Sequence, residues 1–213
     1  MAVVEKAEKI SLWRLPFSRD LLGLSIVSAV LIGLYIFGAN LAGAGPKYLL
    51  IVVPLGVFYW TFLEYVLHRW VFHWEPTRPA MKRLRSVFPP HRAHHTHPDR
   101  ARGAAMLDWR YVAILSPLYT AALCVTPLSA QYALALNAGL LIGYFAYEFV
   151  HAACHRSPMR GPFLTQVRRF HAIHDLRDET VNFGVTSTIW DYVFGTHYLQ
   201  QRRRETMAAF AAR

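Results

Sequence analysis

Charge is scarce in this chain and cysteine scarcer still. Of 213 residues, 17% are charged and 54% hydrophobic, too apolar for an ordinary soluble domain and in keeping with membrane spans. The two cysteines, Cys124 and Cys154, are too few for a disulfide framework and indicate no particular redox compartment. Residues 1–20 hold no apolar run of signal-peptide type. The run that opens near Leu21 has no small-residue cleavage site after it, so it reads as a retained anchor. The length predicts a single domain covering 1–213.

What the chain does have is apolar runs. Four are evident, at about 21–38, 48–67, 111–128 and 132–150, each close to the roughly 20 residues a helix needs to cross a bilayer. A Gly-rich turn joins the first two, and only Ser129, Ala130 and Gln131 separate the last two. The fold class this predicts is an all-α integral membrane protein with four transmembrane helices in two hairpins. Pro54 and Pro117 fall within runs, where a membrane helix tolerates them. Of the 23 Lys and Arg residues, 22 lie before the first run, between the second and third, or after the fourth, and only Lys47 lies elsewhere. The positive-inside rule then puts both termini, the middle segment and the tail in the cytoplasm. The +10 net charge is thereby mostly topological. The run Arg202, Arg203, Arg204 reads as juxtamembrane charge rather than a nucleic-acid contact.

Histidine is the unusual residue. Nine of the eleven fall into four clusters: His68 and His73; His91, His94 and His95; His151 and His155; His171 and His174. Neutral imidazole is the commonest metal ligand, and one ion takes two to four protein ligands, so nine predict two metals in one site. His151 and His155 are four apart, as are His91 and His95, which puts each pair on one helix face. His68 and His73, five apart, would diverge by about 140° on a regular α-helix. Either the helix ends between them or they address different metals. Asp175, directly after His174, is a competent ligand in its own right. His97 and His197 stand apart and read as satisfied polar residues.

The two halves repeat. Glu64 and an aromatic precede His68 as Glu148 and an aromatic precede His151, and 18 positions from His73 to His91 echo 16 from His155 to His171. Two hairpins delivering paired clusters to one cytoplasmic face is the economical arrangement. Glu64 and Glu148, ionisable groups near the ends of apolar helices, are candidates to orient His68 and His151 from behind, or else to snorkel to the interface.

The motifs HRWVFH (68–73), HRAHH (91–95), HAACH (151–155) and HAIHD (171–175) resemble those of the fatty acid hydroxylase superfamily of sterol desaturases, carotenoid hydroxylases and fatty acid 2-hydroxylases. EYVLHRWVFHWEP (64–76) and NFGVTSTIWDYVFGT (182–196) are most similar to the fatty acid 2-hydroxylases. The resemblance implies a cytosolic helical cap, formed by 68–110 and 151–213, holding a dimetal histidine centre. It also implies two iron ions, although a purified sample could carry zinc, which has no redox chemistry of its own. Two departures stand out: Asp175 replaces the second of two adjacent histidines, and Arg156 stands where another histidine commonly follows the third cluster.

The implied activity is O2-dependent hydroxylation of a lipid acyl chain, a fatty acid or sphingolipid acyl group at C2, with electrons from a separate cytochrome, ferredoxin or reductase-type donor. Residues 1–20 are too short to hold a haem domain. Trp70, Phe72, Trp74, Phe183, Trp190 and Phe194 are candidates to line a lipid route or simply to pack the cap. The alternatives are a carotenoid or sterol substrate, a metal transporter or store, and a family member whose metal is only structural.

Overall fold

The computed structural model describes residues 19–85, 95, 109–126, 128–156 and 161–211, and these are helical with no strand among them. His91, His94 and His97 lie outside the described residues. The helices are α1 (Arg19–Leu41), α2 (Pro46–Val66), a π-helical turn (Leu67–Phe72) that prolongs α2, α3 (Pro79–Arg85), α4 (Trp109–Cys124), α5 (Ala130–Arg156), α6 (Pro162–Leu176), α7 (Ile189–Phe194) and α8 (Tyr198–Ala211). They divide into two compact units. One comprises Phe17–Leu63 with Arg102–Phe149, and the described residues of the other belong to Glu64–Ala101 and Val150–Arg213.

Leu21–Leu41, Pro46–Phe72 and Ala130–His155 are long and apolar enough to cross a bilayer and mark the chain as a membrane protein. The third predicted run differs. α4 has 16 residues, so it rises only about 24 Å, against a hydrocarbon core of about 30 Å. Thr126 ends it by donating from Oγ1 to Leu123 O (2.6 Å) and accepting from Leu128 N (3.2 Å).

Small residues and a polar knot hold the first unit together. A Cβ on Gly139 would collide with Val53 O and come within 2.9 Å of Gly56 Cα, and one on Gly56 would collide with Leu136 O. α2 and α5 therefore cross with their backbones in contact, as small residues permit in membranes. Higher on the same pair, Gly143 accepts the ring of Trp60, which also packs edge-on against Tyr144 at 5.0 Å. Buried Asn137 of α5 donates to Ser116 O (3.2 Å), Ser116 Oγ (3.0 Å) and Thr120 Oγ1, and Tyr35 of α1 bonds Ser116 Oγ at 3.0 Å. Three helices thus share one hydrogen-bonded centre. On α1, Leu22, Ile26, Val30, Leu34, Phe37 and Leu41 are all more than half exposed, forming the apolar stripe a helix turns toward lipid.

Candidate metal centre

The second unit begins where α2 loses its regular pitch. His68 and His73 are joined by the π-helical turn Leu67–Phe72, with His73 as its C-cap. A π-helix bonds i to i+5, the same separation as the two histidines. The 140° divergence expected on a regular helix does not arise, and the rings lie 5.2 Å apart between centroids. Both belong to one group, His68, His73, His95 and His174, whose ligand nitrogens all lie within 4.8 Å of one another. Of the two expectations for this pair, the one assigning them to different metals is not met. A second group, His151, His155 and His171, meets the same limit. α5 continues past the predicted span end at 150 to Arg156 and so presents His151 and His155 one turn apart.

α6 supplies both groups. It starts at Pro162 after Gly161, whose φ of 94° only glycine adopts easily. His171 projects to the second group and His174 to the first. Asp175, one turn beyond His171, sets Oδ2 3.2 Å from His171 Nε2 and 3.5 Å from His155 Nε2, with Oδ1 3.7 Å from His95 Nε2.

The loop after α6 fixes ring orientation. His174 Nδ1 donates to Val181 O (2.6 Å) and His68 Nδ1 donates to Phe183 O (2.5 Å). A carbonyl can only accept, so each ring carries its proton on Nδ1 and presents the Nε2 lone pair inward, the usual arrangement of a metal-binding histidine. His73 Nδ1 lies 3.8 Å from Glu179 Oε2 while its Nε2 is 3.1 Å from His174 Nε2. His171 Nε2 is 2.9 Å from His155 Nε2. Two ligand atoms each about 2.1 Å from a shared ion lie about 3.0–3.4 Å apart at tetrahedral or octahedral angles. These two nitrogen pairs therefore lie close to the separation of ligands on one ion, and an all-imidazole donor set suits iron, zinc, copper or nickel.

Burial keeps these bases neutral. Desolvation, offset in part by the Val181 carbonyl and reinforced by His73 and His95, lowers His174 from 6.5 to about 3. His171 is driven well below its ordinary value by desolvation and then by His151 and His155. Desolvation pushes the Asp175 carboxyl up to about 7.

Two buried carboxylates hold the loop that holds the rings. Asp191 accepts from Phe183 N (2.9 Å), Gly184 N (2.9 Å) and Thr196 Oγ1 (2.7 Å). Glu64 accepts from Val185 N, from Thr186 N (2.8 Å) and from Thr186 Oγ1. Glu64 is thus an interior residue, not a snorkelling one, and it acts one step behind His68 by fixing the loop whose Phe183 carbonyl meets the ring. Glu148 is likewise buried, one turn before His151 on α5. A proton chain reinforces the loop: Arg69 donates to Tyr65 Oη (2.7 Å), Tyr65 Oη to Thr196 Oγ1 (3.1 Å), and Thr196 to Asp191.

The aromatics mostly pack around this frame. Tyr65 stacks on Phe194 (5.1 Å, 13°) and meets Phe183 and Trp70 edge-on at 5.9 Å. Phe183 also stands 5.3 Å from His174 and 5.7 Å from His68, an apolar wall on the first group. His197 is not the hydrogen-bonded polar residue expected. It is fully buried, stacked 3.9 Å from Tyr192, outside both histidine groups, and its ring nitrogens have no hydrogen-bond partner among the described residues. Asp191 escaped the sequence reading, although a carboxylate inside IWDYVF is an isolated charge in an apolar stretch and was the available signal.

A helical membrane protein with two groups of buried and half-buried imidazoles, two of their rings aimed by backbone carbonyls, has side chains that could hold metal. The chain belongs to the fatty acid hydroxylase family, whose model matches residues 53–196. It is 32% identical over 164 residues to the ceramide very long chain fatty acid hydroxylase SCS7 of Saccharomyces cerevisiae, covering 76% of this chain and 42% of that protein. To the dihydroceramide fatty acyl 2-hydroxylase FAH1 of Arabidopsis thaliana it is 34% identical over 156 residues, covering 68% and 60% respectively. A solved structure of full-length scs7p, with only its hydroxylase domain visible, matches at a TM-score of 0.65 and 27% identity over 82% of this chain and 66% of that one. The chain spans 42% and 60% of the lengths of these two protein relatives.

Proposed function

We propose that this protein is a membrane-bound di-iron oxidoreductase that hydroxylates a lipid acyl chain, a fatty acid or sphingolipid acyl group at C2, using O2 and electrons from a separate donor. The observation that carries this reading is the pair of histidine groups within 4.8 Å limits, in a chain of the fatty acid hydroxylase family.

His68, His73, His95 and His174 would hold one ion and His151, His155 and His171 the other; His91 and His94 are ligand candidates by sequence alone. Bound iron supplies the redox capacity to activate O2 and attack an unactivated carbon, which zinc lacks. The chain's own part is preparation. Val181 O and Phe183 O fix the tautomers of His174 and His68, burial keeps His171 and His174 neutral and open to metal, and Phe183 screens the first group from water.

Four spans in two hairpins within a single domain, the short α4 included, would support a cytosolic cap made from 68–110 and 151–213. The positive-inside distribution supports cytoplasmic termini. The basic cytoplasmic surface suits an acidic electron donor.

Metal analysis of protein purified without chelator, with lipid profiling of cells expressing the intact chain or His155→Ala, tests this. Two irons per chain and a 2-hydroxy acyl species lost in the variant are expected. Bound metal with no oxidised lipid would overturn the oxygenase reading, and a hydroxylated sterol or carotenoid would move the substrate class.

A further inference from the structure

Asp175 is the point at which the two histidine groups meet. Its side chain is 2% exposed, and neither oxygen has a hydrogen-bond partner among the described residues. No lysine or arginine pairs with it among those residues either. The imidazoles beside it are His95 on one side and His155 and His171 on the other. A buried carboxylate without donors is costly unless something positive meets it.

The two oxygens divide the neighbours between them. Oδ1 faces His95, a member of the first group, at 3.7 Å. Oδ2 faces His155 and His171, members of the second, at 3.5 and 3.2 Å. These separations approach the roughly 3.0–3.4 Å expected of atoms that share an ion. Position on α6 produces the split. Asp175 sits one turn after His171 and so rides the same face, while its neighbour His174 turns about 100° away into the first group.

We infer that Asp175 is a bridging carboxylate, with Oδ1 completing the metal site of His68, His73, His95 and His174 and Oδ2 that of His151, His155 and His171. The inference rests on the two-metal reading above but not on the reaction. A histidine has one inward nitrogen at this position and would serve one ion only. The carboxylate joins the two ions and adds one negative charge to an otherwise neutral donor set, favouring harder cations such as Mn(II) and Fe(II).

The test is electron paramagnetic resonance of the full chain in detergent loaded with Mn(II), alongside metal stoichiometry. Wild type is expected to bind two ions with an exchange-coupled spectrum. Asp175→Asn and Asp175→His should give isolated-ion spectra, with the second ion bound at least tenfold more weakly, while Asp175→Glu keeps the coupling. If Asp175→Asn fails to fold, the histidine and glutamate variants carry the same comparison. Unchanged coupling and affinity in Asp175→His, or uncoupled ions in wild type, would overturn the bridge. A coupled wild-type pair in a protein that oxidises no lipid would sink the proposed reaction and leave the bridge standing.

Discussion

Replacing Asp191 with asparagine isolates the part played by the loop that aims His68. Asparagine keeps the size and one acceptor oxygen but puts an NH2 where the second oxygen met a backbone N–H. Phe183 N and Gly184 N each lie 2.9 Å from a different carboxylate oxygen, so either amide orientation leaves a donor facing a donor. Thr196 Oγ1 at 2.7 Å shares the oxygen used by Phe183 N. Losing one charge-assisted hydrogen bond and stranding a buried N–H costs about 2–4 kcal/mol. For a protein of this size that is a fall in unfolding temperature of about 5–15 °C. The slackened loop also carries Phe183 O away from His68 Nδ1, and losing such an orienting partner typically weakens metal binding about 10–100-fold. Thermal unfolding in detergent and metal competition against a chromophoric chelator measure the two effects. Asp178→Asn is the control, because the Asp178 carboxylate accepts from the exposed Thr180 N and Oγ1 and its replacement should change stability by less than about 1 kcal/mol. Wild-type unfolding temperature and metal affinity in Asp191→Asn would refute the account.

Gly139→Val should prevent the α2–α5 crossing and abolish monodisperse protein on size exclusion, because its Cβ has no space beside Val53 O and Gly56 Cα. Gly33→Ala, with nothing within 4 Å of the added carbon, should be neutral or raise stability by up to about 1 kcal/mol in the same assay. Stripping metal with a strong chelator should lower the unfolding temperature reversibly, by the equivalent of about 2.7 kcal/mol for an ion that had been present at 100 times its Kd. The metal-free protein should lose stability as pH falls below about 6.5. The unfolded chain then protonates its histidines, while folded His174 resists to about 3 and His171 to well below its ordinary value. Asp175, raised to about 7, works the other way by taking up one proton in the folded state, so a net loss of one proton's linkage remains for these three groups. Denaturant midpoints between pH 7.5 and 5 check the sign, and greater stability at pH 5 would refute it.

The histidine groups were legible because i, i+4 spacing on a helix converts sequence directly into one face, as His151 and His155 show. The π-helical turn was not. A five-residue separation reads as divergence until the helix widens, and no residue type in LHRWVF announces that it will. Glu64 was recognisable as an odd charge at the end of an apolar helix, but its partners are backbone N–H groups more than a hundred positions away, and no local pattern encodes such a meeting. The orienting carbonyls of Val181 and Phe183 carry no signature at all, since every residue has one. The third apolar run reads longer than α4 because hydropathy continues past Cys124, where the helix ends. The resemblance in NFGVTSTIWDYVFGT flagged the correct stretch without saying what it did, and its structural meaning is a loop whose four consecutive N–H groups at 183–186 are held by two carboxylates.

α6 contributes His171 to one histidine group and His174 to the other, and three residues of α-helix advance about 4.5 Å along the axis. The helix is in effect a ruler lying across the centre. Loops elsewhere in the chain can lengthen, shorten or drift without altering the interval it marks, whereas a shift of α6 along its own axis would move a member of both groups together. Spacing between the two histidine groups along α6 is in this sense a property of helical pitch, among the least adjustable quantities a protein possesses.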